Sequence, residues 1–245
     1  MKRIIKASSI ALALGMCINA QAADFNFSTK VDNDANTLVV FYSQDGNNSQ
    51  FKTLDKQFDG QLQRVIDIEN FTGDYAKVAQ LVAPSKSNYS RILVVGTGKA
   101  DELDKAKAAK LGGNIHARLV KAKAGTASVI FDDVTGANDN AALAANFAHG
   151  ANLRDHRFEN YKKEPNTETV SYTFDVDNTK QTRKLYSQLE SIQAGVFLAR
   201  DLTSEVATEM TPVDFANAAK ELASLGVTIK VLEPKELKEL GMGAL

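Results

Sequence analysis

Residues 91–99 read RILVVGTGK, an apolar run that leads directly into a glycine-rich turn. Such a run with a glycine exit predicts a central strand, in a sheet whose two faces are both covered. The alanine- and lysine-rich segment that follows predicts a helix over 101–123, with Asp101 as its N-cap. A strand that passes directly into a long helix is the repeating unit of a parallel α/β sheet.

The rest of the chain continues this alternation in both directions. Gly112 and Gly113 interrupt the 101–123 helix, where they either bend it or admit a close neighbour. The fold class is therefore predicted as α/β, a mainly parallel sheet sandwiched by helices. Apolar or alternating runs predict further strands at 37–43, 62–68, 127–131 and, as an edge strand, 168–176. Periodicity and helix breakers predict further helices at 49–58, 75–82, 138–153 and 180–200, with an exposed connection at 154–167.

The first 22 residues carry a targeting pattern. Three basic residues precede a mostly apolar run at 7–18, and the tripeptide AQA at 20–22 supplies small residues at a cleavage site. The pattern predicts a signal peptide over 1–22, cleaved between Ala22 and Ala23, and an exported protein that is periplasmic or secreted. Because the apolar run is too short to span a bilayer, no membrane association is expected after cleavage.

Cysteine content and net charge exclude several classes of function. Cys17 is the only cysteine, so the cleaved chain would have no disulfide and no thiol nucleophile. A lipoprotein anchored through Cys17 is the alternative, but Met16 stands where such a site has a small residue. The formal net charge of −1 leaves no broad basic field, so nucleic acid is an unlikely partner.

The turn Gly96, Thr97, Gly98 invites a dinucleotide-binding interpretation, since glycines let a backbone approach phosphates at a helix N-terminus. Asp101 stands where that fingerprint has its third glycine, and its carboxylate would repel phosphate. A tight turn between strand and helix is therefore the preferred interpretation.

Three histidines and two acidic residues are the candidate metal ligands. His116, His149 and His156 lack the three- or four-residue spacing of helical ligand pairs, so they are interpreted as core or surface residues. Asp132 and Asp133 follow the 127–131 strand and could bind a cation. Neighbours on a strand point to opposite faces, which argues against a shared ion.

Five lysines between residues 105 and 123 form a basic run on the predicted helix, and they are the last candidates for binding. The basic run could contact nucleic acid, but it has no interleaved aromatic residues, so a solvated helix face is preferred. No GxSxG elbow is present. The residues therefore predict no catalytic, metal-binding or cofactor-binding site in this chain. The basic run comprises Lys105, Lys107, Lys110, Lys121 and Lys123.

Residues 198–245 (LARDLTSEVATEMTPVDFANAAKELASLGVTIKVLEPKELKELGMGAL) resemble the entry into the catalytic domain of the leucine aminopeptidase, or cytosol aminopeptidase, family. Upstream, VVGTGK at 94–99 and RFENYKK at 157–163 are similar to its N-terminal domain, so the resemblance covers roughly 37–245. The family usually reads NEP in one loop, and this chain has Ser204, Glu205, Val206 there.

The resemblance implies a macro-like N-terminal α/β domain at 23–179, a linker helix at 180–200 and the start of a peptidase catalytic domain at 201–245. Full-length relatives are expected to remove N-terminal residues from peptides with zinc or manganese and to form hexamers. Their metal ligands and catalytic residues lie beyond the matching part, so this chain is expected to be inactive and to hold no cofactor. Phe215, Ala219, Leu222 and 227–231, the last predicted as a strand, are expected to be partly uncovered.

Two other interpretations of the chain remain open. It could be a non-catalytic module that binds a ligand or a partner, including further copies of itself. It could also be the product of an interrupted gene.

Overall fold

The computed structural model describes residues 23–46, 48–131 and 139–243. The predicted signal peptide at 1–22, the candidates Asp132 and Asp133, and the last two residues of the chain lie outside these ranges. Two compact units divide between Ala194 and Gly195, inside one long helix. No helix in the described ranges is both long and apolar enough to cross a membrane.

The first unit is built on a six-stranded sheet with the strand order β1-β6-β5-β2-β4-β3. All neighbouring strands are parallel except the pair β3 and β4, which is antiparallel. The predicted α/β class with a mainly parallel sheet is therefore confirmed. The strands are β1 (Phe25–Ser28), β2 (Thr37–Ser43), β3 (Val78–Val82), β4 (Arg91–Gly98), β5 (Thr126–Ile130) and β6 (Ser171–Asp175). The helices are α1 (Ser49–Gln57), α2 (Gln61–Ile68), α3 (Lys105–Lys121), α4 (Asn140–Asp155), α5 (Thr179–Ser204), α6 (Pro212–Glu221) and α7 (Pro234–Glu239).

The central strands β2 and β4 are buried on both faces, as their apolar runs predict. Alternate residues belong to two separate cores, because successive side chains on a strand point to opposite faces. Leu38 and Ile92 pack with residues of α1 and α2. Val39 and Leu93 pack on the other face with α3, α4 and the strands at the β1 end of the sheet. The helices therefore cover both faces of the sheet.

Glycines let α3 and α4 approach closely. A Cβ placed on Gly112 would lie 1.9 Å from the carbonyl oxygen of Phe147, and one on Gly150 would lie 1.7 Å from that of Ala109. Residues 105–121 form one continuous helix through this contact. The prediction that the 112–113 glycines admit a close neighbour is confirmed.

Two predictions for the segments before β4 are wrong. Residues 62–68, predicted as a strand, lie in α2, because Leu62 and Ile66 stand one helical turn apart and are buried together. Residues 75–82, predicted as a helix, contain β3, whose residues pair with β4 along its whole length. Pairing with an exposed sheet edge overrides the weak helical preference of this segment.

Other predictions differ in smaller ways. The N-cap of α3 is Asp104, whose carboxylate accepts from the Lys107 N–H, and not Asp101, which lies in a short 3₁₀ turn. The predicted edge strand 168–176 contains β6, but β1 pairs with its outer side, so β6 is internal. The strand β1 itself was not predicted.

The second unit, residues 195–243 in the described range, holds the end of α5 together with α6 and α7. A capping box formed by Thr211 and Asp214 begins α6, with Pro212 in its first turn. Residues 227–231, predicted as a strand, have no strand structure, and no described strand pairs with them. No described residue of this unit is buried, and Phe215 is 54% exposed. The predicted exposure of this segment is confirmed.

Candidate functional site

The glycine-rich end of β4, residues 96–98, packs against a neighbouring chain segment. The Gly96 N–H donates to the Lys77 carbonyl and the Gly98 N–H to the Gly73 carbonyl, both at 2.9 Å. A Cβ on Gly96 would lie 2.1 Å from the carbonyl oxygen of Asp74. Gly96 therefore makes room for protein backbone, and the N–H groups of both glycines already have acceptors. Residues 96–98 are the last residues of β4, so the prediction of a tight turn there is wrong. The engaged N–H groups of Gly96 and Gly98 nevertheless argue against phosphate binding at this point.

Polar side chains form hydrogen bonds with the backbone of the loops at the same end of the sheet. The Asp45 carboxylate accepts a 2.7 Å hydrogen bond from the Ala100 N–H, so an acidic group occupies the place that an anion would need. Asn48 bonds both the N–H and the carbonyl of Ser43, at 2.7 and 3.1 Å. These contacts fix the exits of β2 and β4. Asp101 is exposed in the turn beside them.

His116 lies at the centre of a buried polar network. Its Nδ1 is 2.8 Å from the Tyr172 hydroxyl and its Nε2 is 3.0 Å from Asp155 Oδ1. Because an ionised carboxylate can only accept, Nε2 carries a hydrogen that it donates to Asp155. The interpretation of His116 as a core residue is confirmed.

Asp155 collects donors from three separate parts of the first unit. Oδ1 accepts from Arg157 Nη2 at 2.9 Å as well as from His116, and Oδ2 accepts from the Ala23 backbone N–H at 2.9 Å. Burial by itself would raise the pKa of Asp155, but its contacts with His116, Arg157 and Ala23 hold that pKa below its usual value. The carboxyl is therefore ionised in the fold, at a position that is only 7% exposed.

The sequence does not predict this network. Asp155 ends α4 beside a strongly polar stretch, and residues 154–167 were predicted to be exposed. Its partners lie 39 and 132 positions away, at His116 and Ala23. No local periodicity connects residues at such separations, so no sequence signal could have brought them together.

The other histidines do not join a metal site. Burial lowers the pKa of His149, whose Nδ1 has no hydrogen-bond partner. His156 follows the end of α4. Across the described ranges, no three His, Cys, Asp or Glu residues come close enough to share a metal ion.

The basic run on α3 is an exposed helix face with acidic partners. Lys105 pairs with Asp139 at 3.8 Å, and Lys123, just past the helix end, pairs with Glu168 at 3.2 Å. Lys107 pairs with Glu102 at 3.3 Å. The remaining two lysines, Lys110 and Lys121, are exposed. These pairs agree with the interpretation as a solvated face.

A protein-family model matches residues 38–165 and is described as the cytosol aminopeptidase family, N-terminal domain. This match covers β2 to the connection after α4, which includes the sheet centre and most of the buried network.

Curated relatives match over most of this chain. A probable cytosol aminopeptidase 1 of Shewanella oneidensis is 36% identical over 96% of this chain and 46% of its own length. A probable cytosol aminopeptidase of Rhizobium etli is 38% identical over 76% of this chain and 38% of its own length. The chain therefore spans less than half the length of these relatives.

Solved structures share the fold. A mutant of tomato leucine aminopeptidase superposes with a TM-score of 0.75 at 20% identity, covering 92% of this chain and 47% of that one. A manganese complex of the bottromycin maturation enzyme BotP superposes with a TM-score of 0.58 at 21% identity, covering 85% of this chain and 40% of that one.

Proposed function

Because this chain belongs to the cytosol aminopeptidase family, we propose that it is the non-catalytic N-terminal region of an exported, leucyl-aminopeptidase-like metallopeptidase. The observation that carries this proposal is the match of the family's N-terminal domain to residues 38–165, which fold around a covered sheet. The family reaction is metal-dependent removal of N-terminal residues from peptides. This region would hold or assemble a peptidase domain without supplying its chemistry.

The described residues do not fit the zinc or manganese centre of such a peptidase. No three potential ligands among them converge, and the most buried acidic group, Asp155, is engaged by Arg157 and His116. A divalent centre needs several carboxylate or imidazole ligands in one place. We therefore assign no catalytic step to a metal ion held by this chain.

Metal content tests this part of the proposal. The purified 245-residue chain would be dialysed against zinc or manganese and its bound metal measured by atomic emission. The expected result is no stoichiometric binding to the folded protein. Retention of one or two ions per chain after dialysis against buffer would contradict the proposal.

Export is the second part of the proposal, and the pattern of residues 1–22 supports it. Expression of the full chain in a Gram-negative host, followed by fractionation and intact-mass measurement, tests it. The expected product is periplasmic and begins at Ala23. A cytoplasmic product that retains Met1 or Lys2 at its start would contradict export.

An assembly role is the second candidate, and the exposed apolar residues of the 195–243 unit favour it. Val213 is 67% exposed and Leu225 is 78% exposed. Large apolar side chains exposed to this degree are available for contact with another protein. Co-purification with a full-length family member, lost in a Val213→Ser, Phe215→Ser variant, would support this role. A monomer that binds no such protein would count against it.

A further inference from the structure

The backbone nitrogen of Ala23 lies against a buried carboxylate. It donates to Asp155 Oδ2 at 2.9 Å, and Ala23 is only 6% exposed. The same nitrogen would become an α-amino group if the chain were cleaved between Ala22 and Ala23. The Ala23 nitrogen therefore belongs both to the predicted cleavage site and to the buried polar network around Asp155.

The strand β1 holds Ala23 in this position. The Tyr172 N–H donates to the Asp24 carbonyl at 2.7 Å, and the Phe25 and Tyr172 rings stack with centroids 5.2 Å apart. Farther along, Arg183 Nη2 donates to the Phe27 carbonyl at 2.8 Å. Hydrogen bonds and ring contacts thus anchor the segment after Ala23, so cleavage before Ala23 would not remove what positions its nitrogen.

We propose that Asp155 is the receptor for the α-ammonium group of Ala23, created when the leader peptide is removed. The inference rests on the proposed export, since it needs cleavage before Ala23. Cleavage would replace a neutral N–H donor with a positively charged one at the same oxygen. Charge-assisted hydrogen bonds are about twice as strong as neutral ones, so processing would strengthen the contact that joins β1 to the end of α4.

Asp155 can accept from a second cation besides Arg157, because the two donors contact different carboxylate oxygens. Arg157 shares Oδ1 with His116, whereas Ala23 approaches Oδ2. Arg157 also donates to the Glu168 carbonyl at 2.7 Å and the Asn166 carbonyl at 2.9 Å, and its side chain is 23% exposed. Part of its charge is therefore directed to solvent and to backbone acceptors instead of to the carboxylate.

The neighbouring groups define what else can titrate near the α-amino group. His116 and Arg157 contact the carboxylate directly, and Asp24 is the next residue in the chain. Burial, with the nearby Asp155 charge, raises the pKa of Tyr172 well above its usual value. Burial, with the charge of Glu190, also raises that of Tyr186, which packs on Phe25. Neither hydroxyl therefore contributes to titration near neutral pH.

A matched pair of exported proteins tests the proposal. One is the natural chain, and the other carries Gly-Ser inserted between Ala22 and Ala23, so that the cleavage motif is kept but the new α-amino group is displaced from Asp155. In the second protein Ala23 donates an ordinary amide N–H, as in the structure. Intact mass confirms the first residue of each, and thermal unfolding is then followed between about pH 6 and 10, which spans the usual α-amino pKa of about 7.7–8.0.

A raised α-amino pKa gives stability that is complete below the unfolded-state value and is lost as the pH rises through the folded-state value. We expect this loss in the natural chain and not in the insertion variant, whose His116 and Arg157 are unchanged. A nitrogen NMR titration should place the Ala23 pKa about 1–3 units above its usual value, as for other groups beside an opposite charge. Asp155→Asn in the natural chain should abolish that shift.

The outcomes separate this inference from the proposed export. Cleavage before Ala23 with identical pH profiles in the two proteins, and an unshifted α-amino pKa, would overturn the receptor role while leaving export intact. Cleavage of an exported product at another bond would overturn the receptor role alone, and a cytoplasmic product that keeps its leader would overturn both. A pH-dependent difference between the proteins, together with a raised Ala23 pKa, supports the receptor role even if Asp155→Asn fails to fold.

Discussion

Single glycines set the distance between helices α3 and α4. Gly112 and Gly150 face backbone carbonyls of the opposite helix, and any side chain at either position would collide with backbone atoms. Backbone cannot move aside as a flexible side chain can, so the collision must separate the helices. The packing of one face of the sheet therefore depends on these two residues.

Gly112→Ala should destabilise the first unit by about 1–3 kcal/mol or more, because overpacking a close contact forces the backbone to shift. The matched control is Gly195→Ala, another helical glycine, where an added Cβ meets nothing within 4 Å. That change should stabilise α5 by up to about 1 kcal/mol through helix propensity. Urea unfolding of the three proteins checks the pair, and equal midpoints for Gly112→Ala and the natural chain would contradict the packing account.

His149 gives the first unit a pH dependence on the acidic side of neutrality. Burial lowers the pKa of His149, so folding favours its neutral form. The stability it allows is complete above the unfolded-state pKa of about 6.5 and is lost as the pH falls from there through the lowered folded-state pKa. Thermal unfolding of His149→Gln should therefore show a smaller loss between about pH 7 and 5 than the natural chain shows. Parallel curves for the two proteins would rule this out.

Local spacing of residues can be judged from the sequence, whereas contacts between buried polar groups far apart in the chain cannot. The spacing of His116, His149 and His156 could be judged from the sequence, since ligand spacing is a local property. The hydrogen bond between Ala23 and Asp155 joins residues 132 positions apart and has no local signature. The pairing of β1 with β6 anchors the segment that follows Ala23.

At the scale of elements, sequence patterns identified the central strands and the long helices. They predicted one short helix as a strand and one short strand as a helix. The strands β2, β4 and β5 are continuous apolar runs, a pattern with few competing interpretations. Residues 62–68 and 75–82 contain apolar residues that fit either period over so short a length. Residues 62–68 are helical because Leu62 and Ile66 are buried together on one helix face. Residues 78–82 form a strand because they pair with β4.

The capping box at the start of α6 holds that helix without a buried core. The Asp214 N–H donates to Thr211 Oγ1, and the Asp214 carboxylate accepts from the Thr211 backbone N–H at 3.1 Å. The hydrogen bonds from Thr211 lower the pKa of Asp214, so the carboxylate is ionised at the positive end of the helix.

Thr211→Ala should therefore weaken α6 by about 1 kcal/mol, the usual cost of losing such a cap. Amide hydrogen exchange in 212–221 should be about fivefold faster, as that free energy implies. Thr228→Ala, in the stretch without regular structure, is the control and should leave this exchange unchanged. Equal exchange rates in the Thr211 and Thr228 variants would show that the cap does not stabilise the helix.

At the scale of the whole chain, the two units differ in how much they bury. The first unit has cores on both faces of its sheet, whereas no described residue of 195–243 is buried. Local stability follows buried apolar contacts, so the second unit should open far more often than the first.

Limited proteolysis should therefore remove residues beyond about 200 first and leave a resistant fragment that begins near Ala23. Mass spectrometry of the digest identifies the boundaries. A digest without a stable fragment of the first unit, or cleavage inside the sheet before the second unit is lost, would contradict this ranking.

Family membership and fold class were predictable, because the alternation of strands and helices and the motifs at 94–99 and 198–245 extend over most of the chain. The predicted strand at 227–231 was not realised, since a strand needs a partner for its backbone groups and none lies among the described residues. Apolar composition alone thus predicts a strand only where a neighbouring strand is available.

The central claim is that this chain is a family N-terminal region that does not itself hydrolyse peptides. Hydrolysis of leucine p-nitroanilide by the purified chain, with zinc or manganese added and a full-length family member as positive control, tests it most directly. The expected rate equals that of metal and buffer alone. Hydrolysis that depends on both the metal and the protein, and that follows the chain through a final purification step, would contradict the claim.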